Sequence, residues 1–113
     1  METTTNILND WNRMKTETEN MVIAVSLKFY DHARERERQG YLEWYQEGLI
    51  QLQLEVEAIE QCWEQLQIWV EEQLLNIECE ETYAAVSHDI ISAIAEFNDR
   101  VILTGMDIPQ ADA

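Results

Sequence analysis

The chain has 113 residues, which is enough for one small domain and not for two. Hydrophobic residues make up 46% and charged residues 27%, which excludes the composition of a disordered chain. Acidic residues outnumber basic ones by 23 to 7, so the formal net charge is −16, and direct binding to nucleic acid or an anionic membrane is disfavoured. With only three glycines and one proline, few tight turns are available, which argues against an all-β or α/β fold.

The first predicted helix covers residues 5–38. Thr4, Thr5 and Asn6 are typical residues for a helix N-cap. Apolar residues then recur at intervals of three, four or seven, as on one face of a helix. They are Ile7, Trp11, Met14, Met21, Val25 and Phe29. A run of alternating Arg and Glu precedes Gly40, and cations followed by glycine are typical of a helix C-terminus.

The second predicted helix covers residues 41–77 and has the clearest pattern in the chain. Its apolar positions alternate spacings of three and four over five heptads, and Gln73 is the only polar member. They are Leu42, Tyr45, Leu49, Leu52, Val56, Ile59, Trp63, Leu66, Val70 and Ile77. Further apolar residues lie off this face, namely Ile50, Leu54, Ile68 and Leu75. Because a helix that is apolar on two sides is usually packed from two sides, we expect the chain to self-associate as a dimer.

The third predicted helix covers residues 81–104, and we expect Gly105 to end it and Pro109 to prevent it from resuming. Its apolar residues repeat with the same spacings of three and four: Cys79, Tyr83, Val86, Ile90, Ile94, Phe97 and Val101. Neither Gly nor Pro separates the second helix from the third, so one bent helix is the alternative. The predicted fold is all-α, an elongated antiparallel three-helix bundle made of a long helical hairpin plus a third helix. It forms one domain over residues 1–105, and residues 106–113 are expected to be an irregular tail.

Predictions about cellular location and enzymatic activity depend on motifs that the sequence lacks. No apolar run approaches the length that spans a bilayer, and the first residues lack the pattern of a secretory signal, so we predict a soluble, cytoplasmic protein. Cys62 and Cys79 are then expected to be reduced thiols in the core. No serine or cysteine lies in a catalytic loop motif and there is no Gly-rich phosphate loop, so we predict no enzymatic activity, no metal and no cofactor.

Most of the negative charge follows Gly40. Residues 41–99 contain fourteen acidic residues and no Lys or Arg. On the second helix a set of glutamates, which we call the acidic stripe, runs beside the apolar face: Glu43, Glu57, Glu60, Glu64 and Glu71. Like charges at helix-neighbour spacing repel each other, so the acidic stripe is either a solvated surface or a docking surface for a cationic protein. Trp44 and Trp69, beside or off the apolar face, are the predicted aromatic anchors of that interface.

These features predict a non-catalytic protein that binds a basic partner and inhibits or shields it. A partner that itself binds nucleic acid would fit, and a small, acidic, helical chain of this kind suits an immunity protein or a phage anti-defence protein. The alternative is a structural or chaperone-like protein that grips a partner helix through the second apolar side of the second helix.

A third, remote hypothesis is enzymatic. The pairs Glu57-x-x-Glu60 and Glu96-x-x-Asp99 faintly resemble the carboxylate motifs of the all-α nucleoside triphosphate pyrophosphatases of the MazG type. That resemblance implies metal-dependent hydrolysis of a nucleotide. The paired-Glu first motif of the family is incomplete here, and residues 41–99 contain no Lys or Arg for the phosphates.

Overall fold

The computed structural model describes residues 2–40, 43–77 and 80–109, with side chains for 7–38, 40, 48–77 and 82–109. Three α-helices make up this part of the chain: α1 (Glu2–Gln39), α2 (Glu43–Leu75) and α3 (Glu80–Asp107). Each helix contacts the other two, and no strand occurs among the described residues. The bundle measures 59 × 22 × 16 Å. The prediction of an all-α, elongated three-helix bundle is therefore confirmed.

The contacts between helices define their directions. Lys15 and Phe29 of α1 contact Glu71 and Val56 of α2, so residue numbers rise in opposite directions and the two helices are antiparallel. Between α1 and α3 the numbers rise together. The Thr18 hydroxyl donates to Asn98 Oδ1 over 3.1 Å, and ten residues further along α1 the Lys28 Nζ donates to the Gly105 carbonyl over 2.8 Å.

The ends of α1 and α2 follow from local sequence. Gly40 has a φ of 70°, the left-handed conformation in which glycine commonly terminates a helix, and its amide donates to the Glu37 carbonyl over 3.1 Å. The final turn of α2 is closed by the amide of Asn76, which donates to the Gln73 carbonyl over 3.1 Å. Because α3 packs back against α2, the alternative of one bent helix is wrong.

The predicted end of the third helix is also wrong. α3 passes through Gly105 to Asp107, so residues 106 and 107 are helical rather than part of an irregular tail. A Cβ atom at Gly105 would lie 3.2 Å from Val25 Cγ2, so glycine here permits close packing of α1 on α3 rather than ending a helix. Ile108 is buried against Phe29. The remainder of the predicted tail, residues 110–113, lies outside the described residues.

The core lies along the axis of the bundle and uses the predicted apolar faces. Each helix contributes one ring to a cluster of three buried aromatic side chains. The rings of Trp11 and Trp63 are 6.1 Å apart and tilted, and those of Trp63 and Phe97 are 5.7 Å apart and stacked. Aromatic pairs at these separations add to the stabilisation that burial provides. Other buried members are Ile7, Val22, Val56, Ile59, Val70, Val86, Ile90, Ile94 and Val101.

No helix in the described ranges is both long enough and apolar enough to cross a membrane.

Candidate functional site

The candidate site is the side of α2 that faces away from the core. Eight residues on this side recur with alternating spacings of four and three, and all eight are exposed. We call this row the outer seam; it consists of Ile50, Leu54, Glu57, Gln61, Glu64, Ile68, Glu71 and Leu75. Its four aliphatic side chains are 54–85% exposed. α2 therefore has a buried row that forms the core and a second, exposed row with the same periodicity, which Lys15 of α1 approaches at Glu71.

The outer seam is strongly negative because few groups compensate its carboxylates. Lys15 Nζ of α1 lies 3.8 Å from Glu71 Oε1, and the Gln53 amide donates to Glu57 Oε1 over 3.0 Å. Glu60 and Glu64 have no ion-pair or hydrogen-bond partner among the described residues. Because the ion pair with Lys15 is largely exposed to solvent, it offsets little of the charge.

The structure brings most of the predicted acidic stripe together. Glu57, Glu64 and Glu71 are exposed members of the outer seam, and Glu60 is a half-buried residue on the α1 side of it. These four glutamates therefore lie on neighbouring positions of one side of α2. The side chains of Glu43 and Trp44 lie outside the described part of the chain.

Trp69 does not accompany the acidic stripe. It is half-buried, packs against the main core and lines a groove between α2 and α3 of about 410 Å³ together with Leu66 and Phe97. The reason is helix geometry, since five residues separate Trp69 from Glu64 and place it about 140° away around the helix. Trp69 thus covers the interior of the bundle.

The same groove contains Cys62, whose thiol is free and half-buried. The Arg100 guanidinium donates to Cys62 Sγ over 3.1 Å. Cys79, the second cysteine that the sequence places in the core, lies outside the described residues. Neither His32 nor His88 lines this groove.

The carboxylate pairs of the pyrophosphatase hypothesis do not converge. Glu57 lies on the outer seam with Glu60 beside it, whereas Glu96 lines the groove between α2 and α3, and Asp99 is exposed on α3. Among the described residues no group of three or more His, Cys, Asp or Glu side chains is arranged to hold a metal ion. The resemblance to the MazG type therefore has no assembled metal site in these ranges.

One titratable side chain is buried away from the outer seam. His32 of α1 is 1% exposed and borders a cavity with Leu52 and Asp107 at the end of the bundle near the α1–α2 connection. Burial, and secondarily the positive charge of Arg36, lowers the pKa of His32 below its ordinary value of 6.5.

Two properties of the outer seam were not predicted from the sequence. Its apolar and acidic members belong to one row, a fact already visible in the regular spacing from Ile50 to Leu75 when both residue types are considered together. The approach of Lys15 to Glu71 cannot be read from the sequence pattern, because it depends on the register of α1 against α2.

No protein-family model, curated protein or solved structure matches this chain. The chemistry of the outer seam is accordingly the basis for a functional interpretation.

Proposed function

We propose that this protein is a non-catalytic binding protein that docks a cationic protein on the outer side of α2 and thereby inhibits or shields it. The observation that carries the proposal is the row of exposed carboxylates of Glu57, Glu64 and Glu71 on a helix without a single Lys or Arg. The mutual repulsion of such carboxylates is relieved when a partner supplies cations. A uniformly negative surface also accelerates association with a basic partner.

The spacing of the carboxylates suits a partner with a basic surface rather than a single cationic residue. Glu57, Glu64 and Glu71 follow one another at intervals of seven residues, or about 10.5 Å, along α2, and Glu60 lies between the first two. A protein that binds nucleic acid presents Lys and Arg along a groove, and such a groove could accept the stripe in place of its natural ligand. Blocking that groove would inhibit or shield the partner. A cytoplasmic location, where the free thiol of Cys62 stays reduced, belongs to the same proposal.

The test compares two variants with the same change in net charge. The triple substitution Glu57→Lys, Glu60→Lys, Glu64→Lys reverses the acidic stripe, and Asp89→Lys, Glu96→Lys, Asp99→Lys reverses exposed acids of α3. Affinity capture from cells of the source organism, read by mass spectrometry, should recover a basic protein with the wild type and the α3 variant. The stripe variant should lose it, with an affinity reduced by at least about a hundredfold because three attractive contacts become repulsive.

Helical content from circular dichroism should be the same for all three proteins, which separates lost binding from lost folding. If both triple variants lose the basic protein equally, overall charge rather than the acidic stripe attracts it. Capture that survives reversal of the stripe would contradict the proposal.

A structural or chaperone-like protein remains the second candidate function. The observation in its favour is the exposure of four aliphatic side chains in the outer seam. Salt discriminates the two functions in the same binding measurement. A steep loss of affinity as ionic strength rises supports charge-driven docking. An affinity that does not depend on ionic strength supports binding by apolar contacts alone.

A further inference from the structure

We propose that the outer seam docks one amphipathic, cationic helix of the partner, packed along α2 as in a coiled coil. This inference rests on the proposed function and specifies the element of the partner that is bound. The outer seam extends from Ile50 to Leu75, about 38 Å along the helix axis. Over that length its residues alternate spacings of four and three, which is the pattern that a second helix contacts with its own side chains.

The apolar members of the outer seam predict apolar positions in the partner helix. Leu54 and Ile68 are each more than half exposed and lie two heptads apart, with Ile50 and Leu75 at the two ends. Each would bury a large aliphatic side chain when a helix covers it, which favours binding. A partner recognised through charge alone would not require aliphatic side chains at this helical spacing.

The acidic members predict where the partner carries cations. Glu57 and Glu64 lie in the middle of the outer seam on either side of Gln61, so a helix that covers Leu54 and Ile68 must also cover their two carboxylates. A carboxylate removed from water without a counter-charge is strongly disfavoured. The partner helix therefore carries Lys or Arg in its central heptads and aliphatic residues toward both ends.

A second copy of this chain does not meet that requirement. Its α2 contains no Lys or Arg, so neither a parallel nor an antiparallel pair of outer seams gives a glutamate a cation. The cations of its α1 are largely engaged already. Arg13 pairs with Asp10 and Glu17, Lys15 with Glu71, Lys28 with the Gly105 carbonyl and Arg38 with Glu35. A partner protein with uncommitted cations suits the outer seam better.

The experiment identifies what covers the seam in the cell. A photoreactive phenylalanine analogue replaces Ile68 in the seam or, as matched control, Ile102, which is similarly exposed on α3. After irradiation of cells of the source organism, mass spectrometry sequences the cross-linked peptides. We expect position 68 to cross-link a helical segment of another protein with Lys or Arg in its central heptads, and position 102 not to do so.

Affinity then tests the contacts, with the cross-linked segment as a synthetic peptide. Leu54→Asp and Ile68→Asp should each weaken its binding at least about tenfold, because each loses an aliphatic contact and adds a buried charge. Ile102→Asp should change it less than about twofold, within the effect of a remote surface charge.

The possible results separate this inference from the proposed function. Cross-links from position 68 to a second copy, to a segment without Lys or Arg, or to nothing would overturn the docked helix. If reversal of the acidic stripe still abolishes capture of a basic protein in that case, the proposed function stands without the helix. If reversal of the acidic stripe does not abolish capture, the results contradict both the docked helix and the proposed function.

Discussion

At the scale of single residues, two glycines inside helices differ in what surrounds them. Gly48 of α2 has open space where a Cβ would lie, whereas at Gly105 of α3 the same atom would approach Val25. Glycine lowers the stability of a helix interior relative to alanine. The first glycine therefore weakens its helix without a packing benefit, and the second permits two helices to lie close together.

We accordingly expect the same substitution to have different effects at the two sites. Gly48→Ala should raise the free energy of unfolding by about 1 kcal/mol, the usual difference in helix propensity. Gly105→Ala should give no gain or a net loss, because its methyl group must displace Val25. Urea denaturation of both variants and the wild type measures the difference. An equal gain at the two positions would contradict the close approach of α1 and α3.

His32 makes the stability of the bundle depend on pH. Because burial, and then Arg36, lowers the pKa of His32, the unfolded chain binds a proton more readily than the folded protein does. The contribution of the neutral imidazole to stability is complete above the ordinary pKa of 6.5 and is lost as the pH falls below it, toward the folded pKa.

The measurement compares the wild type with His32→Gln by urea denaturation at about pH 8 and about pH 5.5, on either side of that value. The wild type should lose more stability on acidification than the variant, since other titrating groups are common to both. Parallel losses in the two proteins would show that His32 does not sense this change in pH.

At the scale of the helices, much could be predicted because it depends on local periodicity. Val56, Ile59 and Trp63 recur at helical spacing, and all three are buried in the core. The Gly after the arginine run ends α1, because its positive φ is a local property of the backbone. The exposed positions of Glu57, Glu64 and Glu71 were predictable for the same reason, since a row opposite the buried face of α2 is set by the helix repeat alone.

What could not be predicted depends on the distance and register between helices. Nothing in the sequence around Gly105 distinguishes a helix terminator from a packing contact, because the distinction lies in the position of Val25 on another helix. The half-buried position of Trp69 likewise depends on where α3 lies against α2. Single-helix geometry therefore separates Trp69 from the acidic stripe, but it does not show that α3 covers this side chain.

At the scale of the whole molecule, charge is divided unequally among the helices. Residues 1–40 have nearly balanced charges, with six basic and seven acidic residues. Residues 41–99 contain fourteen acidic residues and no Lys or Arg. When two copies of the chain approach each other through α2 or α3, their acidic residues repel each other. Leu27 of α1 and Met106 near the end of α3 are exposed and lie outside residues 41–99, so we expect the predicted dimer to use these side chains.

We expect salt to promote that dimer. At tens of micromolar protein, light scattering coupled to gel filtration should give a larger mass at about 0.5 M salt than at about 0.02 M, because added ions shorten the range of the repulsion. Met106→Asp should shift the mass back toward the monomer, whereas Leu75→Asp, on the outer seam, should not. A monomeric mass at every salt concentration would contradict self-association.

The double use of α2 limits how this chain can change in length. One inserted residue in the middle of the helix would rotate everything after it by about 100° and would turn core residues outward and carboxylates inward. A gain or loss of seven residues would turn the remainder by only about 20°. Insertions and deletions in α2 should therefore be tolerated in whole heptads.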